Sequence, residues 1–107
     1  MDRLACHCCG VDLTVTALRI ALRDLEAEVG ELQITSGYRC PKHNRDVGGA
    51  ADSRHIVGDA IDSMCVPERQ EVLISIAKKH GFHGIGRGRN FVHLDMRSTP
   101  TEWTYPA

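Results

Sequence analysis

The chain has 107 residues, of which 42% are hydrophobic and 25% are charged. This is the size and composition of one folded domain rather than of a disordered or fibrous protein. Thirteen basic and 14 acidic residues leave a formal net charge of −1, which excludes the strongly basic surface that binds nucleic acid or anionic lipid.

The first predicted element is an amphipathic helix between Asp12 and Gly30. Its apolar residues recur at intervals of three and four, as on one buried helix face: Val15, Leu18, Leu22, Leu25 and Val29. Asp12 or Thr14 can serve as the N-cap, and Gly30 suits the C′ position just past the helix end.

A strand is predicted next, in ELQITSGYR, where Leu32 and Ile34 alternate with polar neighbours. Its end delivers Tyr38 and Arg39. The following stretch, PKHNRDVGGAADS, is polar and rich in glycine, and it predicts a helical turn that begins at Pro41 and then a loop. Loops of this kind often frame functional sites.

The second half of the chain begins with a predicted strand in GDAIDSMC. A helix is then predicted from Pro67, a residue suited to the first helical position, to His80 before Gly81. Its expected buried face consists of Val72, Leu73, Ile76 and Ala77. After it, GFHGIGRG predicts a strand that leads into a turn.

The last clear strand is NFVHLDMR, whose strict alternation separates two faces. The core face is expected to hold Val92, Leu94 and Met96, and the opposite face Phe91, His93 and Asp95. The tail STPTEWTYPA has two prolines and no periodicity, so residues 98–107 are expected to be irregular, with Trp103 packed down. These elements predict one α+β domain over residues 1–107, a small mainly antiparallel sheet covered by two helices.

The residues that suggest chemistry are His55, Asp62 and His93. Gly58 and Ala60 are expected to share the strand face of Asp62, and their small size leaves room beside it. Two imidazoles and one carboxylate, with one position left for water, form the ligand set of a catalytic zinc. A lone histidine on a strand is more often an ordinary surface residue, so spacing alone leaves that alternative open.

Three motifs resemble those of the zinc D-alanyl-D-alanine carboxypeptidase family. They are S-x-H-x-x-G-x-A-x-D at Ser53 to Asp62, H-x-D at His93 to Asp95, and S-G-Y-R at Ser36 to Arg39. The resemblance spans roughly Cys6 to Arg97. It implies the fold shared by the Hedgehog signalling domain and by phage endolysins that cut L-alanyl-D-glutamate bonds.

The resemblance also implies residue roles. His55, Asp62 and His93 are expected to bind one catalytic zinc ion, which activates water and polarises the scissile carbonyl. Arg39 is expected to hold a substrate carboxylate or the developing oxyanion. Tyr38 and Ser53 are further candidates for substrate contact, although Ser53 can equally be a capping residue of its loop.

The general base departs from the family pattern. Family members carry a glutamate or aspartate three residues before the last histidine, and this chain has Asn90 there. Asp95 is the first substitute candidate and His83 the second. Alternatively, Asp95 can orient a zinc-binding histidine by accepting a hydrogen bond from it.

The five cysteines are a separate question. Cys6, Cys8 and Cys9 crowd the N-terminus, and Cys40 follows Arg39, so a thiolate cluster for a second zinc is one hypothesis. The spacing lacks the paired C-x-x-C of familiar zinc sites, however. There are two alternatives. Either one of the N-terminal cysteines forms a disulfide with Cys40 or Cys65, or all five cysteines are reduced thiols.

The expected function is therefore that of a zinc metallopeptidase acting on peptidoglycan stem peptides, as a D,D-carboxypeptidase or an endopeptidase of the endolysin type. The alternative is an inactive zinc-binding module that grips the cell wall or another protein. No nucleic-acid partner or membrane span is expected, and a monomer is the working expectation. Because MDRLACHCCG lacks a secretory signal, we expect cytoplasmic synthesis, with lysis or a phage particle as routes to the wall.

Overall fold

A computed structural model describes residues 3–106, so Met1, Asp2 and Ala107 of the predicted domain lie outside the described residues. The helices are α1 (Thr16–Val29), α2 (Pro41–Asp46), α3 (Arg54–Val57) and α4 (Pro67–Lys79). The strands are β1 (Ile34–Ser36), β2 (Ala60–Met64), β3 (Gly84–Arg87), β4 (Phe91–Asp95) and β5 (Thr101–Thr104). No helix in this part of the chain is long and apolar enough to cross a membrane.

The strands form one sheet in the order β1-β2-β4-β3-β5. The pairings β1·β2, β2·β4 and β3·β4 are antiparallel, and β3·β5 is parallel. The expected α+β class with a small, mainly antiparallel sheet is confirmed.

The core lies on the sheet face covered by α1 and α4. It contains Leu18, Leu22 and Leu25 of α1, Leu73, Ile74 and Ala77 of α4, and Ile61, Ile85, Val92 and Leu94 of the strands. Because side chains alternate along a strand, the neighbours of these strand residues point to the other face. That second face carries the polar site described below.

The ends of α1 follow the prediction only in part. Gly30 ends the helix with a φ of 89°, as expected, and its N–H donates to the Glu26 carbonyl. The N-cap is Val15, however, and the expected capping by Asp12 or Thr14 is wrong. The Asp12 carboxylate instead accepts from the N–H of Thr14 at 2.8 Å, which closes a turn upstream of the helix.

The short helix α3 was not anticipated by the sequence pattern. It lies between the predicted loop and the next predicted strand, and Gly58 ends it in the left-handed conformation, with a φ of 87°. The expectation that Gly58 shares the strand face of Asp62 is therefore wrong, because β2 begins only at Ala60.

Two further expectations are corrected. Val72 is 58% exposed, and Ile74 takes its place on the buried face of α4. The tail is not irregular, because Thr101–Thr104 pairs with β3 as a parallel edge strand. Both corrections have the same cause: the apolar pattern did not reveal where the sheet would lie.

Candidate metal centre

The register of the sheet builds one row of side chains across its polar face. Asp62 on β2 lies opposite His93 on β4, and His93 lies opposite Gly86 on β3. Gly86 in turn lies opposite Trp103 on β5. Asp62, His93 and Trp103 are therefore neighbours on one face, with a glycine between the last two.

His55 reaches this row from α3. The Ser53 hydroxyl accepts from the backbone N–H of His55 at 3.2 Å and caps the helix. The His55 ring is 3% exposed, and its Nδ1 hydrogen-bonds to the Gly37 carbonyl at 2.7 Å. A carbonyl only accepts, so Nδ1 carries the proton and Nε2 is left for Asp62, whose Oδ2 lies 3.3 Å away.

His93 is held between two carboxylates. Its Nδ1 lies 2.9 Å from Oδ1 of Asp62, and its Nε2 lies 2.7 Å from Oδ2 of Asp95. Burial alone would lower the pKa of His93, but the two carboxylates outweigh burial and raise it. Burial would likewise raise the pKa of Asp62, yet His55 and His93 hold it well below its usual range.

These three side chains have the donor set and the spacing of a zinc site. His55, Asp62 and His93 each offer a ligand atom, and these atoms lie within 4.8 Å of one another. Ligand atoms at usual zinc distances in a tetrahedron are about 3.3 Å apart. The 2.9 and 3.3 Å separations measured between the histidine nitrogens and Asp62 fit that geometry. The structure therefore brings together the residues that the sequence suggested as ligands.

Arg39 lies beside the three candidate ligands and is fixed by hydrogen bonds. Its Nε donates to the Ser36 hydroxyl at 3.2 Å, and its Nη1 donates to the Asn44 side-chain oxygen at 3.1 Å. Nη2 donates to Oδ2 of Asp62 at 3.3 Å. The guanidinium thus contacts a candidate metal ligand and also lines the cleft.

Asp95 is buried with both oxygens engaged. Oδ2 accepts from Nη2 of Arg97 at 2.7 Å as well as from His93, and Oδ1 accepts from Nε of Arg97 at 2.8 Å. Burial would raise the pKa of Asp95, but these partners hold it far below its usual range. The contacts favour a residue that orients His93 over a base that takes a proton from the cleft.

The remaining candidates lie at several places. Ser53 lines the cleft, whereas His83 is exposed and does not. Tyr38 is buried, and the cleft lining does not include it. Asn90 borders a different, apolar groove beside α4, where its carbonyl accepts from the N–H of Cys65 at 2.9 Å. The structure thus does not bring His83, Tyr38 or Asn90 into the cleft.

The candidate ligands lie in the wall of an open cleft of about 1090 Å³, comparable with the larger ligand sites of proteins. The sequence did not single out several of its residues. Arginines and aromatic rings are prominent in its lining: Arg39, Arg54 and Arg97, with Phe91, Trp103 and Tyr105.

Trp103 and Arg97 are the functional candidates that the sequence analysis missed. The Trp103 ring centroid is 5.3 Å from that of His93, and the Arg97 guanidinium lies 4.9 Å from the Trp103 centroid. Two-residue alternation is the signal that could have found them. It continues from His93 through Asp95 to Arg97, and it pairs Trp103 with Tyr105 on the tail.

The chain matches a known protein family. The family model described as peptidase M15 matches residues 3–95, which include the three candidate ligands. No curated protein matches the chain at a significant level.

Proposed function

Because the chain belongs to the peptidase M15 family, we propose that this metallopeptidase uses zinc to hydrolyse peptide bonds in bacterial peptidoglycan stems. The observation that carries the proposal is the convergence of His55, Asp62 and His93 in the wall of an open cleft. A zinc ion with three protein ligands keeps one position open, as catalytic zinc sites do.

A zinc ion bound there supplies a Lewis acid that polarises the scissile carbonyl and activates water near neutral pH. The chain's own residues prepare the site for it. The Gly37 carbonyl keeps the proton of His55 on Nδ1, and Asp95 accepts from Nε2 of His93. Each histidine therefore presents its other nitrogen toward Asp62, so the ligands are oriented before the metal binds.

Arg39 and its neighbours suit a substrate that carries carboxylates. Stem peptides carry free carboxylates at their ends and side chains, and a guanidinium binds a carboxylate through paired hydrogen bonds. The lining also includes Arg54 and Arg97. Each of the three arginines is paired with a carboxylate: Arg39 with Asp62, Arg54 with Asp59 and Arg97 with Asp95. We propose that Arg39 holds a substrate carboxylate, or the carbonyl oxygen as negative charge develops on it.

A general base must reach the substrate from the cleft. Of the carboxylates lining the cleft within residues 3–106, Asp62 is engaged by both histidines, and Asp52 is exposed on the loop before α3. This supports Asp52 over Asp95 and His83 as the group that accepts the proton. Asp52→Asn is expected to lower kcat, with zinc content unchanged.

The proposal is tested with the zinc-loaded chain and purified muropeptides. New amino groups and product masses are followed over time, and the masses identify the bond that is cut. Wild type is expected to release fragments, and His93→Ala is expected to lose both turnover and the zinc of this site. His83→Ala is the matched control, because it removes a histidine outside the cleft, and it should retain full turnover.

The outcomes separate the peptidase from its rival. Removal of a terminal residue would identify a carboxypeptidase, and internal cleavage would identify an endopeptidase. Binding of the zinc-loaded protein to sacculi without any release of amino groups would overturn the proposal and indicate a cell-wall-binding module.

A further inference from the structure

Four cysteine sulfurs converge at a place separate from the candidate metal centre. The Sγ atoms of Cys6, Cys8, Cys9 and Cys40 all lie within 4.8 Å of one another. The separation is 3.6 Å between Cys6 and Cys8 and 3.4 Å between Cys8 and Cys40. Cys65 is elsewhere, in the groove beside α4.

These separations match a tetrahedral metal site. Four thiolates at about 2.3 Å from one zinc ion are about 3.8 Å apart, whereas a disulfide joins two sulfurs at about 2.05 Å. We propose that Cys6, Cys8, Cys9 and Cys40 bind a second, structural zinc ion through four thiolates. This inference does not rest on the proposed peptidase function, because it concerns different residues and a closed coordination shell.

The backbone around the cluster supports thiolate ligands. The N–H of Cys40 donates to Sγ of Cys6 at 3.4 Å, and the N–H of His43 donates to Sγ of Cys40 at 3.4 Å. Such donors stabilise negative charge on sulfur.

A turn of the chain builds the cluster from a short sequence. The N–H of Gly10 donates to the Cys6 carbonyl at 2.8 Å, and Gly10 has a φ of 74°, which favours glycine. The turn folds Cys8 and Cys9 back beside Cys6. The fourth sulfur comes from Cys40, the N-cap of α2, so one ion would tie the N-terminal segment to that helix.

The cluster adjoins the segment Gly37 to Cys40, which contacts the candidate metal centre. The N–H of Tyr38 donates to the Leu4 carbonyl at 2.8 Å, and a Cβ on Gly37 would be only 2.6 Å from that oxygen. The Gly37 carbonyl holds His55, and Arg39 immediately precedes Cys40. A metal that fixes Cys6 to Cys40 would therefore keep the His55 acceptor and Arg39 in place.

Metal content tests the inference directly. The full chain is saturated with zinc, passed over a weak chelator and measured by mass spectrometry against protein concentration. Wild type is expected to keep two zinc ions per chain, and His93→Ala is expected to keep one. The double variant Cys8→Ser/Cys9→Ser should also keep one, and it changes only exposed side chains, so folding is readily checked by circular dichroism. Cys65→Ser is the matched control and should keep two.

Cobalt distinguishes thiolate ligands from any other second site. The cobalt-loaded His93→Ala protein is expected to show a strong thiolate-to-metal charge-transfer band, and the double cysteine variant is expected to lose it. Two results would overturn the inference. One is a folded double variant with the same metal content as wild type. The other is purified wild type whose cluster cysteines are joined in disulfides and which shows no thiolate-to-cobalt charge-transfer band.

Discussion

Asp95 is the residue whose interpretation the structure changes most, from first candidate for the general base to a residue that orients His93. It is fully buried, and it bonds to both His93 and Arg97. Gly84 lies directly opposite it, and a Cβ at that position would be 2.0 Å from Oδ1 of Asp95. The chain thus keeps a glycine where the carboxylate needs space, as expected for a group that must hold one position.

Replacing Asp95 with asparagine separates orientation from base catalysis. If Asp95 orients His93, Asp95→Asn is expected to weaken zinc binding by about 10- to 100-fold, as changes behind metal ligands usually do. Zinc affinity is measured by competition with a chelator, alongside kcat at saturating zinc. An unchanged affinity together with loss of the acidic limb of the pH–rate profile would instead make Asp95 the base.

Local motifs and their resemblance to a known family suggested the candidate ligands, and alternation along the strands fixed the direction of two of the three. His93 follows from the alternation of β4, and Asp62 from that of β2. The general base could not be assigned in this way. Whether Asp95 or Asp52 is accessible depends on Arg97 and on a loop conformation, and neither of these is encoded in spacing.

At the level of elements, β5 shows why a tail can be misinterpreted. The two prolines and the polar residues of the tail, residues 98–107, argued against order. The parallel pairing of β5 with β3 nevertheless supplies backbone hydrogen bonds that need no apolar pattern. The same limit explains the misplaced face of α4. Val72, Leu73, Ile74, Ile76 and Ala77 include two overlapping helical stripes, and only the position of the sheet decides between them.

Trp103 is expected to be the main contribution of β5 to the site. Trp103→Ala removes the ring contacts with His93 and Arg97, so we expect it to lower the free energy of unfolding by about 1–2 kcal/mol and to reduce kcat/KM. Trp103→Phe should restore part of both losses. Urea denaturation and muropeptide turnover measure them, with exposed Thr104→Ala as the control on the same strand. Equal losses in all three variants would mean that Trp103 acts only through strand pairing.

Glu26 joins α1 to the segments on either side of it. Its carboxylate accepts from Nη1 of Arg3 and from the N–H of Leu32, both at 2.7 Å. The hydrogen bond from Arg3 lowers the pKa of Glu26, against the opposing effect of burial. Since the folded state favours the ionised form, the stabilisation is fully present above the ordinary glutamate pKa of about 4.3 and is lost as the pH falls through the lowered value.

Glu26→Gln is therefore expected to cost about 1 kcal/mol of unfolding free energy at pH 7, and this difference should shrink as the pH is lowered from about 5 to 3. Urea denaturation across that range measures it. Exposed Glu31→Gln serves as the control and should change little at any pH. A difference that stays constant with pH would show that the carboxylate's charge is not involved.

Across the whole molecule, the sheet separates an apolar core on one face from a polar site on the other. One face is covered by the apolar core under α1 and α4, and the other carries the candidate metal centre. The cysteine cluster lies where the N-terminal segment contacts the connection between β1 and α2. Alternation predicted the two faces. Spacing left the thiolate cluster as one hypothesis beside a disulfide and reduced thiols, because its fourth member comes from a distant part of the chain.

Zinc should consequently stabilise the fold in two separable steps. A ligand present at 100 times its Kd adds about 2.7 kcal/mol per site, and in a domain of this size 1 kcal/mol corresponds to roughly 4 °C in Tm. We expect about 10 °C of zinc-dependent shift from each site in wild type, measured by calorimetry after chelation and again after zinc is restored. His93→Ala and Cys8→Ser/Cys9→Ser should each keep one step, and magnesium, which prefers oxygen ligands, should produce neither. If both variants keep the full wild-type shift, zinc stabilises the chain at some other place, and neither the histidine site nor the cysteine cluster is its ligand.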